Sequence, residues 1–442
     1  MPPQLMRRFA FASLLFLLCA CHRTPAPPSA ASDPATDAAV VSAAPLDPSD
    51  PAGLSRASDS GAETGPSLAV TSDGTVVIAW TSRRPGKPDV IGTRFSRDSG
   101  ATWELMQTIP APDDRAASDP VVAADRAGNV YLAWLGARAA DAGTTDSHVY
   151  VARAEAGSNQ FGPPFEVTDA MRHGANVSRP WLAVTGNGNV LVTWAFFSPN
   201  ADGVGIASSK DGASWTRGIV IERIDLHVKL PYICTSPDGE RAWVAYLDAE
   251  AGVRVRASDD GGLTWSPARV STASTHEDRP LIAPQSPVCV GEGEDVTVAY
   301  ARLRSSSDAG LGTTASSIVV ARSADGGRSF DVRRSYDAGS VSIEYPQIAR
   351  EGDGSVDVAF YASGATPEGG ALRSVRFSAD EKGSVSASKI VRDHFHFDPL
   401  GDQNMLPGTY FGWAWHDSAL FAASIDNSGE GPHVVFTRTP TR

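Results

Sequence analysis

An all-β fold, a ring of four-stranded antiparallel blades, is what this sequence predicts, on three observations. A small apolar strand opening on Pro, a turn with Asp, Asn or Gly, and a second strand closing on an aromatic recur along the chain. The closing aromatics Trp80, Trp134, Trp194, Tyr246, Tyr300 and Phe360 lie 54, 60, 52, 54 and 60 residues apart. Four strands of about five to seven residues with their turns fill that length, which is one blade of a β-propeller. β-Branched and aromatic residues dominate these runs, and no stretch keeps a helical period.

In chain order the copies begin with P-S-L-A-V-T-S-D-G-T-V-V-I-A-W from Pro66 and P-V-V-A-A-D-R-A-G-N-V-Y-L-A-W from Pro120. P-W-L-A-V-T-G-N-G-N-V-L-V-T-W from Pro180 and P-Y-I-C-T-S-P-D-G-E-R-A-W-V-A-Y from Pro231 follow. A fifth runs from Pro280 to V-T-V-A-Y at Tyr300, a sixth from Pro346 to Phe360, and a looser seventh is Y-F-G-W-A-W-H-D-S-A-L-F-A-A from Tyr410. Seven copies imply seven blades; six result if one copy is a decorating hairpin. The last repeat shows three strands, ending V-V-F-T-R at Val434 to Arg438. Closing the ring then needs a strand from upstream of Pro66, or a three-stranded final blade. Gly53 to Ser60 is a poor strand former, so closure is the weakest part of this architecture.

Before the repeats come a targeting segment and a tether. Arg7 and Arg8 precede an apolar run from Phe9 to Leu18 that is too short for a membrane-spanning helix. Leu18-Cys19-Ala20-Cys21 follows and resembles a bacterial lipobox, with Cys21 the lipidated residue; a plain secretory signal peptide is the other reading. The lipobox implies acyl chains on Cys21, enough for stable anchoring. His22 stands where retention in the inner membrane calls for Asp, so the expected location is the outer membrane of a bacterial cell envelope. Residues 22–60 are rich in Pro, Ala, Ser and Asp and read as a disordered tether, which leaves 61–442 for the propeller. After processing only Cys234 and Cys289 remain, either as a disulfide or as two buried thiols.

A second motif, S-x-D-x-G-x-[ST]-[WF], appears at Ser96 to Trp103, Ser258 to Trp265 and Ser323 to Phe330, with a shortened copy at Ser209 to Trp215. The Asp carboxylate can accept turn N–H groups, Gly supplies positive φ, and the aromatic plugs into apolar surface beneath. On these motifs residues 61 to 440 resemble the Asp-box (BNR-repeat) proteins, the sialidase-like β-propellers. The resemblance implies that the boxes are structural turns on the face opposite the active site, and that the ligand is a glycan.

In a propeller the mouth lies where each innermost strand begins. The residue before the repeat Pro reads Gly65, Asp119, Arg179, Leu230, Arg279, Tyr345 and, in the looser copy, Tyr410; one position earlier stand Thr64, Ser118, Ser178, Lys229, Asp278, Glu344 and Thr409. Arginines, tyrosines and carboxylates from distant segments thus converge on one rim. By resemblance to sialidases, Arg179 and Arg279 would clamp a substrate carboxylate. Tyr345 or Tyr410 would be the nucleophile with Glu344 its base, Asp119 the general acid, and Asp278 a further rim contact. Arg83, Arg84, Arg138, Arg302 and Arg304 sit in loops that could supply a third guanidinium.

This sequence departs from the family's F-R-I-P motif, because Arg179 and Arg279 directly precede Pro. With a side-chain period of two, that slip turns the side chain to the other face. Glu344 and Tyr345 are adjacent and would point apart on a regular strand. Arg–carboxylate pairs tying blades together, with no catalysis, is therefore the alternative, and the chain then serves as a carbohydrate- or protein-binding scaffold. His394 and His396 alternate on a strand as metal ligands do, but no further ligand is placed by spacing, and no cofactor is expected. The net charge of -13 argues against nucleic acid. The expected form is a monomer.

Overall fold

The computed structural model describes residues 55–56, 63–139, 145–168, 176–198, 201–216, 219–224, 228–248, 252–270, 287–303, 315–330, 332–339, 341–363, 370–379, 384–395, 411–426 and 432–440. Among these, 28 strands form seven four-stranded antiparallel sheets. Strand β1 (Ser55–Arg56) comes first. Blade 1 is β2 to β5 (Glu63–Val70, Val76–Ser82, Val90–Ser96, Gln107–Ile109), and blade 2 is β6 to β9 (Ala116–Ala124, Val130–Ala139, Thr145–Ala154, Phe165–Glu166). Blade 3 is β10 to β13 (Asn176–Val184, Val190–Ser198, Ala201–Ser209, Ile219–Ile224), and blade 4 is β14 to β17 (Val228–Thr235, Ala242–Asp248, Gly252–Ser258, Arg269–Val270). Blade 5 is β18 to β21 (Val288–Glu292, Asp295–Leu303, Ala315–Ser323, Val332–Asp337), and blade 6 is β22 to β25 (Ser342–Arg350, Val356–Ser363, Gly370–Phe377, Lys389–Phe395). Blade 7 contains β26 to β28 (Gly412–His416, Ala419–Asp426, His433–Pro440).

Seven blades, rather than six, close into a β-propeller. Each innermost strand touches the next around the ring, and β26 returns against β2. Closure takes the first of the two routes open from sequence. Ser55 and Arg56 pair with Phe436 and Val435, so β1 is the outermost strand of blade 7. The propeller's strands therefore reach upstream of residue 61. Two residues suffice here because β28 offers a ready edge.

The repeat aromatics explain the packing between blades. Trp80, Trp134, Trp194, Tyr246, Tyr300 and Phe360 are buried between successive sheets, each burial stabilising the fold by on the order of 3 kcal/mol. Cys234 of β14 and Cys289 of β18 form a disulfide between blades 4 and 5, with Cα atoms 5.8 Å apart.

The repeat Pro and the repeat aromatic face each other across a bulge. In blades 1, 2, 3, 4 and 6 the innermost strand inserts one extra residue, so that two residues oppose one. Those two are the Pro and its predecessor, and the one opposite is Trp80, Trp134, Trp194, Tyr246 or Phe360. Proline has no N–H to give the ladder, and a bulge on an inner edge strand is where that loss costs least. The preceding residue takes positive φ in all five: Gly65 at 59°, Asp119 at 52°, Arg179 at 52°, Leu230 at 60° and Tyr345 at 51°.

In blade 5 the register differs from the sequence reading. Val288 pairs with Ala299, which places Pro287 rather than Pro280 in the repeat position. Arg279 is therefore not the residue in register with Arg179.

Candidate functional site

Strand direction fixes which face holds what. The start of each first strand, the end of the second and the start of the third lie on one face, the mouth. The connections between third and fourth strands, which carry the S-x-D-x-G motif, lie on the opposite face. All four motif turns are wired alike, as their sequence leads one to expect. In the first, Ser96 Oγ donates to Asp98 Oδ1 at 2.8 Å and accepts from Gly100 N at 2.8 Å, while Thr102 N and Oγ1 donate to the Asp98 carboxylate at 2.8 and 2.6 Å. Asp211, Asp260 and Asp325 accept equivalent bonds. These hydrogen bonds pull the Asp211 carboxyl down to about 2.

At the mouth the bulges re-aim side chains that a regular strand would alternate. Arg179 is half-buried, its Nη1 meets no hydrogen-bond acceptor, and no carboxylate among the described residues lies within ion-pairing distance. Its charge nevertheless acts on both Asp119 of blade 2 and Tyr345 of blade 6, so both lie within its electrostatic reach. Asp119 is half-buried, and burial raises its carboxyl against the opposing pull of Arg179. Tyr345 is 6% exposed and packs with Tyr361, Phe411 and Trp413 between blades 6 and 7. Burial, then the neighbouring Glu344 charge, push its hydroxyl up to about 12, with Arg179 opposing. Glu344 is buried and accepts a 2.8 Å bond from Ser342 Oγ, two residues back on the same face.

Asp119, Arg179, Glu344 and Tyr345 are thus gathered by the fold. Tyr410, Arg279 and Asp278 lie outside the described residues, as do Cys21, Arg304 and the His394 and His396 side chains. Four of the loop arginines, Arg83 among them, are already engaged. Arg84 donates to Pro88 O at 2.9 Å, Arg138 to Asp146 at 2.9 Å, and Arg302 to Ser317 Oγ at 3.3 Å. Among the described residues no group of His, Cys, Asp and Glu is arranged to hold a metal ion.

A polar cluster on the mouth side of blade 2 escaped the sequence reading. Asp146 accepts from Arg115 and Arg138, both at 2.9 Å, and His148 bridges Asp146 at 2.7 Å and Glu166 at 2.5 Å. The hydrogen bond to Glu166 and then that to Asp146 raise the His148 pKa, so an imidazolium donating from both nitrogens fits the geometry. The signal was the alternation Asp146, His148, Tyr150, three residues on one face of a strand.

Fold and mouth together define a seven-bladed β-propeller with charged and polar side chains on the bulges of its inner strands. No family model and no curated protein matches the chain. Solved structures do. The polysaccharide lyase Uly1 superposes with a TM-score of 0.52 at 9% identity, over 87% of this chain and 91% of its own. A PL25 ulvan lyase bound to -[GlcA(1-4)Rha3S]- gives 0.52 at 10% identity, over 86% and 94%. A Trypanosoma rangeli sialidase with the inhibitor DANA gives 0.47 at 13% identity, over 86% of this chain and 55% of its own. At these identities the likeness is one of fold.

Proposed function

We propose that the protein binds or processes glycans at the mouth of its propeller, and that the sugar it takes there is carboxylated. The observation that carries this reading is Arg179, a half-buried guanidinium whose Nη1 has no protein acceptor, set between Asp119 and Tyr345. A guanidinium fork is matched to a carboxylate, and a ligand that supplied one would satisfy it. Two propellers of this fold are polysaccharide lyases, one holding a glucuronate-containing ligand.

The catalytic form of the reading is exo-α-sialidase-type hydrolysis. Tyr345 attacks the anomeric carbon with Glu344 taking its proton, Asp119 protonates the departing glycosidic oxygen, and water then releases the sugar from the tyrosine. The upward shift of Asp119 is the direction a proton donor needs. The burial of Tyr345 among aromatic rings favours a second form, binding without turnover.

The test uses the purified protein with a fluorogenic sialoside and a panel of sialylated and uronate-containing oligosaccharides. Binding that falls about tenfold or more in Arg179→Ala supports the reading; a protein that binds no carboxylated sugar refutes it. Tyr345→Phe separates the two forms, abolishing turnover while keeping affinity if the tyrosine is the nucleophile.

We further propose that Cys21 carries the lipid anchor, with the outer membrane as its site and the residues between it and β1 holding the propeller away from the surface. The disulfide joining Cys234 and Cys289 supports an oxidising compartment. Cys21→Ala should move the protein from the membrane fraction to the soluble one; unchanged partition counts against the anchor.

A further inference from the structure

On the face opposite the mouth, the loop between third and fourth strands of blades 1 to 6 packs back against the blade before it. Trp103 of blade 1 meets Phe436 of blade 7 at 5.4 Å, and Phe161 of blade 2 meets Phe95 of blade 1 at 5.9 Å. Asp211 O of blade 3 accepts from Arg153 of blade 2 at 2.9 Å. Gly262 of blade 4 lies against Leu191 of blade 3, and Gly326 O of blade 5 accepts from Trp243 of blade 4 at 3.0 Å. Ser378 of blade 6 accepts from Arg334 of blade 5. Among the described residues blade 7 has no such loop, because its fourth strand is β1, which precedes the other three in the chain.

Among the described residues, the gap between blades 6 and 7 is accordingly left as a groove of about 840 Å³. Residues that line it carry polar atoms that protein does not satisfy. Asp357 is 4% exposed and its Oδ1 has no hydrogen-bond partner; Trp413 Nε1 and Trp415 Nε1 likewise have none. An unpaired carboxylate oxygen beside two indole rings, lining a groove of ligand size, is the combination a binding site needs.

We propose that this groove is a second binding site, for a neutral oligosaccharide. A sugar hydroxyl donates and accepts at once, so one ring edge can take indole N–H bonds and give one to Asp357. The C–H face of a pyranose suits the indole surfaces. Charge selects against an anion: Arg376, Lys389 and Arg438 line the groove beside Glu351, Asp353 and Asp357, which cancel them. Arg376 is already spent on Glu351, at 3.1 Å to both oxygens, and on Asp353. The inference rests on the glycan reading above only for the choice of sugars among polyhydroxylated ligands.

The test is titration of the full protein, indole-¹⁵N-labelled at tryptophan, with neutral hexasaccharides of glucose, xylose, mannose, galactose, arabinose and rhamnose. At least one should shift the indole N–H signals assigned through Trp413→Phe and Trp415→Phe. Asp357→Asn should weaken that binding about tenfold or more, and Arg179→Ala should leave it unchanged. If no hexasaccharide shifts either signal, or Asp357→Asn binds as tightly as the parent, the groove is not a glycan site. Loss of groove binding in Arg179→Ala would assign it to the mouth instead. Because mouth and groove are read with different sugars and different variants, either proposal can fail alone.

Discussion

Arg179, Asp119 and Tyr345 owe their placement to a backbone state that L-residues rarely adopt. Each sits at positive φ immediately before a proline, where αL costs roughly 1 to 2 kcal/mol. Blade 1 uses glycine at this position, and Leu230 of blade 4 carries an apolar side chain in the same state, so the bulge itself is architectural. What differs from blade to blade is the side chain it re-aims. None of this was legible from sequence: Gly65 alone hints at positive φ, and period-two counting predicts the wrong face for its non-glycine equivalents.

Asp357 gives a sharper expectation at the same scale. Burial lifts its carboxyl to about 6, against the Ser374 hydroxyl and the charges of Lys389 and Arg376, with Glu351 adding to the rise. An unfolded Asp titrates near 4, so between about 4 and 6 the folded state holds the extra proton and stability falls as pH rises. The loss amounts to about 3 kcal/mol. Asp357→Asn should remove it, so urea unfolding of parent and variant should diverge progressively above about pH 4 and stop diverging above about pH 6. A gap independent of pH would show that the carboxyl titrates normally.

Among the elements, the S-x-D-x-G turns act as wedges between blades rather than as isolated hairpin closures. A Cβ on Gly100, at φ 91°, would fall 2.0 Å from the Phe436 ring, whereas one on Gly157, at φ 77°, would meet nothing within 4 Å. Gly157→Ala should therefore cost only the backbone strain of roughly 1 to 2 kcal/mol. Gly100→Ala should cost clearly more, because ring and loop must also separate. Thermal unfolding of the two variants checks this, and equal losses would mean the turn does not press on blade 7. The motif's internal wiring was readable from residue types alone. Its partner across the blade boundary was not, since that contact joins segments more than 300 residues apart. The blade 5 register was readable in principle: Pro287 stands 13 residues before Tyr300, close to the spacing of 14 in most copies, whereas Pro280 stands 20 before it.

For the whole molecule, closure depends on β1, two residues long and drawn from the tail of a segment whose composition suggests a tether. The blade count followed from the recurrence of the aromatics. The closing strand was hidden because Ser55 and Arg56 have no strand-forming character and are ordered only by the edge they complete. Removing residues 1–60 should lower the unfolding temperature by several degrees relative to removing 1–50, by differential scanning calorimetry; identical transitions would make β1 dispensable. The Cys234–Cys289 link closes a loop across 55 residues, so converting both cysteines to alanine should destabilise the fold by on the order of 4 kcal/mol in denaturant titrations, while unchanged stability would leave it without structural weight.

The claim on which the functional account turns is that the mouth receives a sugar carboxylate at Arg179. A crystal structure of the protein soaked with a sialylated or glucuronate-containing oligosaccharide tests it most directly. The account predicts the ligand's carboxylate on the Arg179 guanidinium, with Asp119 and Tyr345 on either side. A ligand seated elsewhere, or Arg179 paired to a carboxylate of its own chain across a closed mouth, would contradict it.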